Sequence, residues 1–94
     1  MSLDAKTFFV SVEEEYGTGG LKARVRWNDP NGTRYRIEYT FTRVEMVSID
    51  KHDWPKYILD VLKHKCAEHY NAARDTMVVT KSGIYLNVRD ETGG

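Results

Sequence analysis

Leu21-Lys22-Ala23-Arg24-Val25-Arg26-Trp27-Asn28-Asp29-Pro30-Asn31-Gly32-Thr33-Arg34-Tyr35-Arg36-Ile37-Glu38-Tyr39-Thr40-Phe41 is the stretch on which the fold turns. Leu21, Ala23, Val25 and Trp27 alternate with Lys22, Arg24 and Arg26. Further on, Tyr35, Ile37, Tyr39 and Phe41 alternate with Arg34, Arg36, Glu38 and Thr40. Apolar residues at every second position share one face of a strand. Between the two runs, Pro30 presets φ for the first turn position, Asn31 suits the second, and Gly32 can take the left-handed conformation that closes a three-residue loop with a bulge. With Asp29 facing Thr33, Trp27 meets Tyr35, Val25 meets Ile37, Ala23 meets Tyr39 and Leu21 meets Phe41. A slip of one residue would set Arg26 against Tyr35 and mix the faces, which burial penalises. On the polar face the same register pairs Arg24 with Glu38, which is favourable, and Arg26 with Arg36, which is not.

Working outward, Thr7 to Glu15 also alternates, with Phe8, Val10 and Val12 on one side, and Gly17-Thr18-Gly19-Gly20 turns it into the hairpin. Setting Tyr16 opposite Leu21 places Glu15 against Lys22, Glu13 against Arg24 and Ser11 against Arg26, so an acidic run answers a basic one. Arg43 to Ile49 is β-branched and either extends the third strand or leaves the sheet. Asp50 or Asp53 offers a capping carboxylate, and Pro55 suits the first turn of a helix. From Trp54 the spacing is helical: Trp54, Ile58, Val61, Leu62, Cys66, His69, Tyr70 and Ala73 form one stripe, and the helix ends near Asn71 to Asp75. Met77–Val79 and Ile84–Val88 read as two short strands around a Lys81-Ser82-Gly83 turn. The expected fold is α+β, a β-β-β-α-β-β antiparallel meander with one long helix across its apolar face.

Ninety-four residues suit one domain, residues 1–94, able to bury roughly 64% of its unfolded surface, with residues 1–5 and 90–94 expected to be flexible. No apolar run nears the length of a membrane helix, and the start lacks the pattern of an export signal. With one cysteine, no intrachain disulfide can form, so the reducing cytoplasm is the expected location. Fourteen basic and fourteen acidic side chains cancel, so long-range attraction to nucleic acid or anionic lipid is not built into the composition.

No catalytic signature occurs: there is no nucleophile elbow, zinc-protease helix, phosphate-cradling loop or dinucleotide fingerprint. Cys66 and His69 lie three apart on the expected helix, but a structural zinc needs four ligands and His64 points elsewhere. Neither a metal nor a cofactor is expected. A cysteine on the apolar stripe reads as a buried, inert thiol.

The polar sheet face is the candidate site. Lys22, Arg24, Arg26, Arg34, Arg36 and Arg43, with Phe9 and Tyr85, mix basic and aromatic side chains. Glu13, Glu15 and Glu38 offset the first two, leaving Arg26, Arg34 and Arg36 near the Pro30-Asn31-Gly32 tip as an uncompensated cluster suited to an anionic surface. The leading reading is a small non-catalytic protein-binding module of the regulator, adaptor or inhibitor type, of the kind viruses and mobile elements encode. It would bind an acidic protein surface through Arg26, Arg34 and Arg36, with Phe9 and Tyr85 as aromatic anchors. The alternative is a nucleic-acid-binding domain using the same face. An uncovered edge strand could also pair with a partner or a second copy, giving a homodimer.

Ile84-Tyr85-Leu86-Asn87-Val88 followed by a polar tail and Gly93-Gly94 resembles the end of ubiquitin-like carriers and sulfur-carrier proteins. That resemblance implies a C-terminal Gly94 activated as an adenylate and joined to a lysine or to sulfur. It covers about eleven residues, and three strands precede the helix here where that family has two.

Overall fold

The computed structural model describes residues 5–82. The expected hairpin is formed by β2 (Leu21–Asn28) and β3 (Arg34–Phe41), with Leu21 opposite Phe41, Val25 opposite Ile37 and Trp27 opposite Tyr35. Its turn closes as the residue types dictate. Gly32 N–H donates to Asp29 O at 2.8 Å, Asp29 N–H donates to Thr33 O at 2.9 Å, and Gly32 takes φ 87°. Ala23, Val25, Trp27 and Phe41 are buried, whereas Arg26, Arg34, Arg36 and Glu38 are exposed.

β1 (Thr7–Glu14) pairs antiparallel with β2, but two residues away from the expected register: Glu13 faces Lys22, Ser11 faces Arg24 and Phe9 faces Arg26. The connecting loop closes through Glu15 N–H to Gly20 O at 2.9 Å, and Gly20 fits against the backbone of Phe41, where a side chain has no room. Gly20 therefore ends the loop, directly before β2. A two-residue shift preserves the faces, so Phe8, Val10 and Val12 stay buried.

After β3 the chain leaves the sheet. Arg43–Val47 forms a short helix, α1, started by the Thr42 hydroxyl, which accepts the Glu45 N–H at 3.2 Å. α1 buries Met46 and leaves Val44 and Val47 exposed. Trp54 Nε1 donates to the carbonyls of Met46 and Ile49, both at 3.1 Å, and so ties α1 to the start of the long helix. A turn of 3-10 helix over Lys51–Asp53 leads directly into that helix, α2 (Trp54–Lys65), with Pro55 in its first turn. Neither Asp50 nor Asp53 caps it through a side chain. Asp53 is already helical in backbone (φ −95°, ψ −1°), which removes the extended geometry that a capping carboxylate needs.

α2 lays Ile58, Leu59 and Leu62 on the sheet, Leu59 being a core residue outside the expected stripe. It ends at Lys65 with Cys66 as its cap, earlier than the stripe implied. His69 and Tyr70 still reach the core, but from a turn in which Tyr70 N–H donates to Cys66 O at 2.7 Å. Tyr70 meets Phe8 edge-on at 5.1 Å, and His69 lies 5.2 Å from Trp27, which Tyr35 stacks at 5.3 Å. Ala73 is exposed.

The last described strand, β4 (Thr76–Ser82), corrects the expected topology. It runs parallel to β1, giving the order β3-β2-β1-β4, so the sheet is mixed rather than an antiparallel meander. The cause is Asp75. Its buried carboxylate accepts the N–H of Lys6 at 2.8 Å and of Asn71 at 2.9 Å, while Thr76 N–H donates to Lys6 O at 3.1 Å. The start of β4 is thereby held beside the start of β1, and the two strands run the same way. Lys81 and Ser82 belong to β4 rather than to a turn. The expected strand Ile84–Val88 and, apart from Ala5, the expected flexible tails (residues 1–5 and 90–94) lie outside the described residues. No helix among the described residues is long and apolar enough to cross a membrane.

Candidate functional site

With α1 and α2 packed on one face of the sheet, the alternate side chains of all four strands form the other. The registers arrange them in rows. Arg34 is opposite Asn28, and the next row reads Arg36, Arg26, Phe9, Val78 across β3, β2, β1 and β4. Beyond it come Glu38, Arg24, Ser11, Lys81, then Thr40, Lys22, Glu13. A bulge between Val10 and Ser11 brings Lys81 into its row.

Three of the five residues singled out by sequence thus share one row, with Arg34 in the row beside them. Phe9 is 40% exposed and Val78 beside it 36% exposed, so an apolar pair on β1 and β4 adjoins the arginines of β2 and β3. Tyr85 lies outside the described residues. Arg43 leaves the face altogether, since it belongs to α1 and its side chain lies against Gly19. Lys81 and Val78 are additions that sequence reasoning missed. Strand parity, with Met77 and Val79 turned inward, was a usable signal for Val78, but nothing local marked the bulge that admits Lys81.

The register shift makes this face more basic than expected. Glu15 is no longer in the sheet, and Glu13 stands by Lys22 at the far end, so Arg24 faces the neutral Ser11. Glu38 carries the compensation: it accepts from Arg24 Nε at 2.8 Å and lies 3.9 Å from Lys22 Nζ. The Arg24 hydrogen bond, with the charges of Lys22, Arg24 and Arg36, outweighs desolvation and holds the Glu38 carboxyl below its ordinary range. Among the described residues, Arg26, Arg34 and Arg36 have no ion-pair partner. Together with Asn28, Trp27 and Tyr35 they line a shallow depression of about 420 Å³.

A guanidinium is a planar, fixed fork of hydrogen-bond donors, a geometry that matches carboxylates and phosphates. The Cys and His residues are elsewhere. Cys66 is buried, and burial pushes its thiol up to about 11. His52 and His64 are exposed, and His69 is half-buried among aromatic rings. Among the described residues no three His, Cys, Asp or Glu side chains gather around a point that could hold a metal ion. Gly93 and Gly94, which carry the carrier resemblance, lie outside the described residues. Compared with protein-family models, curated proteins and solved structures, the chain matches none.

Proposed function

We propose that this chain is a non-catalytic protein-binding module, of the regulator, adaptor or inhibitor type, whose open sheet face docks an acidic surface of another protein. Phe9 and Val78 provide the apolar half of the contact. Arg26, Arg34 and Arg36 supply bidentate donors to carboxylates beside it. The observation that carries this reading is the row Arg36, Arg26, Phe9, Val78. Two guanidinium groups held opposite each other repel, so the fold bears a cost there that an anionic partner would relieve. Cys66, buried and alone, is in keeping with a reducing compartment such as the cytoplasm.

Affinity capture from the native host tests it, using the wild-type chain beside Phe9→Ala and Arg26→Glu. The expected outcome is a protein retained by the wild type and lost from both variants while their circular dichroism is unchanged. Retention that ignores both substitutions would sink the reading.

A second reading, single-stranded nucleic acid, draws on the exposed Phe9 ring, which lies on an inner strand flanked by arginine and could stack a base. Among the described residues Phe9 is the one aromatic on this face, which makes a short platform. Nuclease treatment separates the two: loss of retention on digestion, with binding that falls steeply as salt rises, would favour the nucleic acid.

A further inference from the structure

The outer side of β3 is a backbone edge with a self-complementary sequence. Among the described residues no strand pairs with β3 on the side away from β2. Which groups face outward is set by the ladder. Asp29 and Thr33 form a hydrogen-bonded pair through Asp29 N–H, and antiparallel pairs alternate between hydrogen-bonded and not. Tyr35, Ile37 and Tyr39 therefore direct their N–H and C=O toward β2, and Arg34, Arg36, Glu38 and Thr40 direct theirs outward. All four of these residues are exposed.

We infer that two copies of the chain join through β3, antiparallel about Ile37, into one continuous sheet. In that register Arg36 faces Glu38 of the second copy and Glu38 faces its Arg36. Arg34 faces Thr40, Tyr35 faces Tyr39, and Ile37 faces itself. The outward backbone groups of Arg34, Arg36, Glu38 and Thr40 then bond in pairs, which is the alternation an antiparallel ladder requires.

Charge selects the register. Centred on Arg36 the pairing would bring two guanidinium groups together, and centred on Glu38 two carboxylates; centred on Ile37 the charges at these positions are complementary. Charged edges ordinarily keep sheets apart, but here the order of signs works as a key for a second copy. Glu38 has capacity for it: Arg24 holds Oε2 at 2.8 Å, and Oε1 has only Lys22 at 3.9 Å. On the helix side, Tyr35, Ile37 and Tyr39 pack against the core yet remain half-open at this edge, and the same residues of the second copy would cover them. The contact is isologous, with one patch used twice, and both Phe9 rows end on the same side of the joined sheet. It shares Arg36 with the surface proposed above, but its test reads mass and cross-linking and not partner capture.

Sedimentation equilibrium on the full chain tests it. The wild type should show twice the 10.9 kDa chain mass, Arg36→Glu and Glu38→Arg should each weaken the dimer at least about tenfold, and the double reversal should restore it. Register is read separately in a Cys66→Ser background. Ile37→Cys should oxidise to a linked dimer, because a non-hydrogen-bonded pair brings Cα atoms to about 4.5 Å, and Glu38→Cys should not. If a charge variant fails to fold, the cysteine pair decides alone. A monomer at millimolar concentration, a dimer indifferent to the charge reversals, or equal cross-linking from positions 37 and 38 would overturn the inference.

Discussion

Asp75 carries more of the fold than any other polar side chain among the described residues. Its carboxylate is buried and holds the N–H groups of Lys6 and Asn71, with Arg74 Nε at 3.4 Å. Burial pushes its pKa up, but those two backbone donors and Arg74 outweigh burial and bring it below the usual aspartate value. A depressed folded pKa means that the stability from this group is fully present above the unfolded value, near 3.8, and is lost as pH falls through the folded one. Asp75→Ala should cost about 2–3 kcal/mol in urea unfolding at neutral pH, because it strands buried amides. Asp75→Asn should flatten the fall in stability below about pH 4. Cys66 gives a second check on the same scale. With its thiol near 11, only about a thousandth is thiolate at pH 8, so a disulfide reagent should label it after unfolding and hardly at all before.

Among the elements, the β2–β3 hairpin was legible because everything that specifies it is local. Alternation sets the faces of Trp27, Ile37 and Tyr39, and Pro30-Asn31-Gly32 sets the register. The β1–β2 register was not, because either of two pairings turns over the same Gly-rich run and keeps Val10 and Val12 inward. The deciding contact is between Gly20 and Phe41, far apart in sequence. A Cβ at Gly20 would lie 2.5 Å from Phe41 O, so Gly20→Ala should destabilise by about 1–3 kcal/mol in thermal or chemical unfolding. The end of α2 was misplaced because His69 and Tyr70 do reach the core, as the stripe required, but from a turn. The direction of β4 was hidden for a related reason, since Lys6 and Asp75 meet across sixty-nine residues. Of the candidate site, the arginines and Phe9 were readable from strand parity. Their gathering into one row depended on that unreadable β1 register.

At the scale of the molecule, the two sheet faces divide the work. The helix-covered face holds the core, and the open face carries charges that the core does not need. Arg26→Thr should therefore leave stability unchanged or raise it by about 0.2–1 kcal/mol, by removing the repulsion from Arg36, while weakening partner binding in the same preparation. A variant that loses both together would place Arg26 in the fold rather than in recognition. The parallel pairing of the first and last described strands has a mechanical consequence. Tension applied at Lys6 and Ser82 runs along β1 and β4 in opposite senses, so their hydrogen bonds must shear as a group instead of unzipping singly. In a single-molecule pulling experiment the chain should resist as one brittle unit. Drawn instead across the Pro30 turn, the β2–β3 hairpin should peel open at a much smaller force.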